Sequence, residues 1–289
     1  MIMTRGQKIF NAFNIVFLGI IGLSMVLPLI HIIAQSFSNS VAINAGKVSF
    51  WPVGFTFGSY KLILQDPSIW IGFRNSVFIT VFGTIINLLL TSMLAYPLSR
   101  PEYLYRKSIL ILVIFTLVFS APLIPNYLLV KQLGLLDTMW ALLLPMAISS
   151  FNLFIMRSFF MNLPNELIDA AKIDGCGEFR IFFKIVLPLS KPAMATMGIM
   201  YAVAHWNRYA DAVYYISDRN LIPLQVRLRE IVFTDQFGQS DLISDQLLTL
   251  SPEGIKMAVI VVATLPIMLI YPFLQKHFIQ GMLVGSVKS

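Results

Sequence analysis

The chain has 289 residues, of which 57% are hydrophobic and only 12% charged, with a formal net charge of +7 and a mean hydropathy of +0.77. A soluble domain carries roughly 25% charged residues, so this composition excludes an ordinary water-soluble globule and points to a multi-pass membrane protein. The single cysteine, Cys176, excludes an internal disulfide and a cysteine metal cage, and no basic run concentrates the positive charge for nucleic acid.

Arg5 and Lys8 precede an apolar run from Ile9 to about Ala34. That run exceeds the roughly 7–15 residues of a signal-peptide core and has no Ala-x-Ala exit, so an uncleaved first span is expected. Gln35 to Ile69 is polar enough for an outer loop and holds the interface-type pair Trp51-Pro52. A second span is expected from about Trp70 to Leu98. A third runs from Ser108 to Val130, kinked by Pro122 and Pro125. After a turn at Lys131 to Thr138, the fourth covers Met139 to Phe160. The fifth starts at Pro192 and fades by Ala210, and the sixth covers Ile255 to Gln275. Each run holds the ~20 residues a membrane helix needs, and none alternates as barrel strands do. The expected fold is therefore an all-α membrane protein with six transmembrane helices in one domain over residues 1–289. By the positive-inside rule both termini and the charged island 162–192 are cytoplasmic, and 211–254 is an outer loop.

The island is the most informative stretch. Pro164 suits a helix start, and Glu166 and Asp169 lie toward the positive end of that helix. Gly175 is the residue best able to close it in a left-handed turn. A second helix then carries Phe179, Phe182, Phe183 and Val186 until Pro188 stops it. Ala170, Ala171, Gly175, Cys176 and Gly177 leave a low surface that another protein can approach closely. Asp174, at a helix C-terminus where negative charge is unfavourable, is expected to accept the amide protons of Cys176 or Gly177; contact with a partner is the other reading.

Asp169-Ala170-Ala171, then Asp174-Gly175, then Pro188 resembles the EAA loop of ABC-importer permeases, with Asp169 where the family usually has Glu and Cys176 where it usually has Ala. Asn75-Ser76, Gly134 to Thr138 and the terminal Phe278 to Lys288 add to a likeness with carbohydrate importer permeases, the class that includes the maltose permease subunits. The resemblance implies a cytoplasmic helix-turn-helix coupling loop seated on two ATPase subunits that bind the ATP and Mg, with no cofactor in this chain. It further implies a second permease subunit, here a different chain, and an extracytoplasmic substrate-binding protein against the 211–254 loop. Coupling would fall to Glu166, Asp169, Ala170, Ala171, Asp174, Gly175, Phe179, Phe182 and Pro188. The terminal Gly281-x-x-x-Gly285 reads as a cytoplasmic tail contact or a helix-packing motif. Asp218 to Gln225 resembles permeases that serve larger or acidic oligosaccharides.

The chemistry the chain lacks fits that picture. No Gly-x-x-x-x-Gly-Lys-Ser/Thr cradle is present, so ATP must be bound by another polypeptide. His31, His205 and His277 have no ligand partner at helical spacing, which argues against a membrane enzyme. None of the 14 Asp and Glu falls in the middle of an expected span, where a charge costs about 2.5–3.5 kcal/mol and marks an ion path, so ion-coupled transport has no evident carrier. An ion-coupled transporter, or an ABC permease for a non-sugar solute, remains the alternative.

The end of the fifth span, Tyr201, His205, Trp206, Asn207, Arg208 and Tyr209, is dense in aromatic and hydrogen-bonding groups. Aromatic faces and polar tips suit a sugar, and the Arg208 fork suits a carboxylate. Tyr201, His205 and Arg208 share one face at i, i+4 and i+7. The other reading is an interfacial belt, with Trp206 and Tyr209 at headgroup depth and Arg208 snorkelling.

Overall fold

The structure is a computed structural model that describes residues 4–234 and 250–286. Every regular element among the described residues is helical. By chain contacts it divides into two compact units, Met1–Trp70 with Leu228–Leu265, and Ile71–Arg227 with Pro266–Ser289.

In the first unit, α1 (Arg5–Ser36) opens on a capping box, in which the Thr4 hydroxyl accepts the Gln7 amide and the Gln7 side chain accepts the Thr4 amide. Its 32 residues span about 48 Å, more than the bilayer core, and its apolar side chains face outward along almost its whole length. Then come the short α2 (Ser40–Asn44) and the amphipathic α3 (Gly58–Gln65), which buries Leu62 and Ile63. Ala34, Ala42, Ile43 and Val48 form a small core.

Helix α4 (Pro67–Ser99) starts with Pro67 behind Asp66, whose carboxylate accepts the Ser68 amide, so the orphan donors of the first turn are met locally. In the second unit follow α5 (Arg106–Val118), α6 (Leu123–Gln132), α7 (Trp140–Leu143) and α8 (Ser150–Met161). The expected third span turns by 119° between α5 and α6 around Pro122, a much sharper break than a kink. The expected fourth span is not one helix. Pro145 cannot supply an amide to the ladder, so α7 stops after four residues, and Ser149 then caps a twelve-residue α8.

Helix α9 (Asn165–Ile173) leads to α10 (Glu178–Leu189), which contains a π-turn at Phe182–Val186, and then to α11 (Lys191–Trp206) at 81°. Pro188 was expected to end the helix but lies inside α10. The π-turn pairs the Leu187 amide with the Phe182 carbonyl, and the chain breaks instead at Ser190. After α12 (Ala210–Tyr215), a single 3-10 turn at Arg219–Leu221 precedes α13 (Leu224–Thr234), which buries Leu224, Val226 and Arg227. The rest of the expected outer loop, 235–249, lies outside the described residues, as do Val287 and Lys288. The last helix, α14 (Pro252–Ser286), continues past Gln275, so the backbone of Gly281 and Gly285 lies within it. Among the described residues three helices are long and apolar enough to cross a membrane, or up to five passes if each bent pair is one span.

Candidate functional site

The charged island folds as a lever on the core of its unit. Ile168 and Ala171 of α9 and Ile181, Phe182 and Val186 of α10 are buried together with Tyr96 and Leu98 of α4, Phe160 of α8 and Met197 of α11. The opposite face stays open: Glu166, Asp169, Ala170, Asp174 and Pro188 are exposed, and Ile173 and Phe179 are 86% and 74% exposed. Gly175 takes φ +76, its amide donates to the Lys172 carbonyl and the Cys176 amide donates to that of Ala171. This paired closure satisfies the last carbonyls of α9 and requires a left-handed residue at Gly175. It also displaces the role expected of Asp174, whose exposed carboxylate makes no cap, because α10 begins at Gly177 without any side-chain cap.

The C-terminal end of α4 is tied to both helices of the island. The Tyr96 hydroxyl donates to Glu178 Oε2 at 3.0 Å, and Arg100 Nη1 donates to Asn165 Oδ1 at 3.1 Å. The Arg100 guanidinium also stacks 5.2 Å over the Tyr96 ring. Lys172 and Glu178 pair at 3.0 Å across the turn, a half-exposed contact worth at most about 1 kcal/mol. A cavity of about 400 Å³ opens beside the turn, between Tyr96, Arg100, Tyr103 and Phe179.

A second constellation stands where the expected fourth span breaks. The Asn87 amide donates to the Met146 carbonyl at 3.2 Å. The Tyr201 hydroxyl accepts the Ser149 amide at 3.2 Å and shares a 2.7 Å hydrogen bond with Thr91. Arg208 donates to the Leu142 carbonyl and lies 3.7 Å from Asp211. Irregular backbone at membrane depth is tolerated only where protein supplies the missing partners, and these side chains supply them.

The same corner absorbs two stretches that stand out in the sequence. Asp137 has φ 56, and its carboxylate accepts the Ser217 amide and, at 2.9 Å, the Asp218 amide. Those two bonds hold its carboxyl below the usual carboxylate range. The Asn75 side chain donates to the carbonyls of Asn220 and Ile222, and the Ser76 hydroxyl accepts the Leu224 amide. Both stretches therefore order the 217–224 segment.

Of the residues expected to meet substrate, Tyr201, His205 and Trp206 are buried, and Arg208 keeps only 8% of its side chain exposed. The expected face shared by Tyr201, His205 and Arg208 is not formed as one helical face: Tyr201 and His205 pack into the chain's own interior, and the helix ends before Arg208. His205 lies against Gly83, where an added Cβ would stand 2.5 Å from its Nε2, and Trp206 meets Phe73 edge-on. Helix α11 ends at Trp206, so Arg208 and Tyr209 lie beyond it. Asn207 is exposed, and its side chain donates back to the Val203 carbonyl; Tyr209 is half-buried. Asn87 and Thr91 escaped the sequence reading, although two polar residues at i, i+4 inside an apolar helix are a usable signal. No group of three or more His, Cys, Asp or Glu among the described residues is placed to hold a metal.

Helical throughout its described residues, with long apolar helices, breaks stitched from within and an exposed charged island, the chain has the build of a multi-pass membrane protein. Residues 87–284 match the family of binding-protein-dependent transport system inner membrane components, and the chain belongs to it. It is 46% identical over 286 residues to Protein LplC of Bacillus subtilis (strain 168), covering 99% of this chain and 97% of that protein. It is also 46% identical over 284 residues to the polygalacturonan/rhamnogalacturonan transport system permease protein YtcP of the same organism, covering 98% and 99%. Among solved structures, a chain of a bacterial ABC transporter involved in the import of the acidic polysaccharide alginate aligns with a TM-score of 0.89 at 33% identity, covering 96% of this chain and 99% of that one.

Proposed function

We propose that this permease passes an acidic oligosaccharide, handed over by a substrate-binding protein, through the bacterial plasma membrane under the drive of separate ATPase subunits. The observation that carries the reading is end-to-end similarity to a permease named for polygalacturonan and rhamnogalacturonan, together with the likeness to an importer of an acidic polysaccharide. The chain itself holds no Walker-type phosphate cradle, so ATP and Mg belong to the partners.

In this reading the island 162–192 is the cytoplasmic coupling loop. Glu166, Asp169, Ala170, Asp174, Pro188 and Phe179, all exposed, form the face that meets an ATPase, while Ala171 and Phe182, both buried, transmit its movement. Gly175 fixes the angle between the two parts. The chain crosses the membrane six times with both termini inside: α1, α4 and α14 are unbroken passes, and the α5–α6 bend, the α7–α8 break and the 16-residue α11 support the other three. It works beside a second, different permease chain and two ATPase subunits. Of the fifth-span residues, the exposed Asn207 is the one placed to meet the sugar in this reading, while Tyr201, His205, Trp206 and Arg208 are buried or bonded inside the chain.

The test is uptake by the reconstituted complex. Labelled oligogalacturonate should be accumulated with ATP and the binding protein severalfold faster than a neutral oligosaccharide of equal length. Equal accumulation of both would overturn the acidic substrate, and accumulation without ATPase subunits would overturn the coupling. Topology is read in a Cys176→Ser background: cysteines at Thr4 and Val287 should resist an impermeant thiol reagent in intact cells while one at Gln239 reacts. The reverse pattern would invert the orientation.

A further inference from the structure

The stretch between α1 and α3 holds out a set of aromatic side chains that no role above uses. Trp51 is 82% exposed, and Phe55 and Phe57 are each 61% exposed. They are not loose. The Asn39 amide donates to the Val53 carbonyl at 3.1 Å, the Thr56 amide to the Phe37 carbonyl at 2.9 Å, and the Val53 amide to the Ser38 hydroxyl at 3.0 Å. Gly54, at φ +65, lies so close to Asn39 that an added Cβ would stand 2.1 Å from its Nδ2. Phe37 stacks on Phe55 and on Tyr60 at centroid distances of 5.4 and 4.7 Å, and Tyr60 is fixed in turn by a 2.7 Å hydrogen bond to Ser36. The backbone is thus clamped to the end of α1, and the rings cannot fold away from their surroundings.

Three features identify what those surroundings are. Phe37 is the C-cap of α1, so the clamp begins where a lipid-soluble helix ends. The stretch from Gln35 to Gln65 contains no Asp or Glu, and its two charges, Lys47 and Lys61, are both exposed cations. Trp, with an apolar body and a polar nitrogen, suits the boundary between headgroups and acyl chains with apolar Phe rings beneath it, and long lysine side chains reach the lipid phosphates that both leaflets carry. We infer that residues 50–57 form a rigid bilayer-docking knob, seated in the headgroup layer at the C-terminal end of α1. A protein partner would find cations and greasy rings there with no acid to set register, so lipid is the better match. Trp70, half-exposed with its indole nitrogen donating to the Leu64 carbonyl at 2.9 Å, and Leu64 itself continue the apolar side of α3 toward the same layer.

The experiment uses the assembled transporter in phosphatidylglycerol vesicles, in the Cys176→Ser background, with a fluorophore on single cysteines replacing Trp51, Phe55 or Phe57. Lipid-borne nitroxide near the headgroups should quench all three severalfold more than aqueous iodide does. Adding the substrate-binding protein should leave that pattern unchanged. Preferential quenching by iodide overturns the knob, as does iodide quenching relieved only by the binding protein, which would make it a protein-docking surface. A label at Leu18, midway along α1, reads the span alone. Lipid quenching there with iodide quenching at the three rings removes the knob and leaves the membrane fold standing.

Discussion

The Tyr201 hydroxyl stands 3.2 Å from the Ser149 amide nitrogen and 2.7 Å from the Thr91 hydroxyl, so a single phenol on α11 closes the backbone where α7 and α8 part and ties it to α4. The phenol is buried. Removing it should expose the weakness of a broken membrane helix more directly than any apolar substitution.

Tyr201→Phe keeps the ring and deletes the oxygen. The Ser149 amide then loses its acceptor, at a cost of about 1–2 kcal/mol by the scale of hydrogen bonds between membrane helices. The melting temperature of the purified complex should fall, and uptake of acidic and neutral sugars should fall by the same factor. An unchanged melting temperature with a change in sugar preference would return Tyr201 to the substrate path.

Arg208 is governed by the same logic. Its guanidinium donates to the Leu142 carbonyl, is paired with Asp211 and is largely buried, which places it to hold the break in the fourth expected span. Arg208→Gln should lower stability by about 1–3 kcal/mol through the unmet carbonyl and the abandoned carboxylate. Its uptake defect should be equal for charged and uncharged oligosaccharides. A loss confined to acidic sugars would show that the pair opens during transport.

The contrast between these residues and the island shows what a sequence can carry. The Schellman closure at Gly175 is local chemistry, legible because a left-handed residue after a helical run has few candidates. Long apolar runs were equally plain in α1 and α4. The break at Pro145 was hidden because composition alone does not distinguish an unbroken span from two pieces repaired by Asn87, Tyr201 and Arg208, which are distant in sequence. Tyr201 and Arg208 also suit a sugar by residue type, which is why the sequence raises that reading for them. Helical periodicity placed Tyr201, His205 and Arg208 on one face but gave no sign of whether that face looked outward or into the fold.

Asp137 gives a pH-dependent test outside the spans. Its native pKa lies below the usual 3.8 because the Ser217 and Asp218 amides bind the carboxylate. A depressed folded-state pKa contributes stability that is fully present above the unfolded value and is lost as pH falls through the native one. Asp137→Asn keeps a residue that tolerates φ 56 but offers a weaker acceptor. The wild type should melt higher than the variant at neutral pH, and the gap should close as pH is lowered past 3.8. A gap that persists unchanged into stronger acid would mean the carboxylate charge is not what holds the 217–218 turn.

Gly175 separates conformation from contact within the proposed coupling loop. A Cβ there meets nothing within 4 Å, so the surrounding space tolerates any small side chain, but φ +76 does not suit a branched one. Holding Val in a left-handed turn costs about 1–3 kcal/mol, whereas Asn adopts that region with little strain. Gly175→Val should insert in the membrane normally yet reorient Phe179 relative to α9, because the closure that sets the angle is lost. ATPase stimulation by binding protein and sugar should drop severalfold in Gly175→Val and recover largely in Gly175→Asn. Since both substitutions add atoms at the same exposed point, equal defects would indicate a steric clash with the partner, and the turn geometry would no longer be the cause. Normal uptake by the Val variant would remove the island from the coupling path altogether.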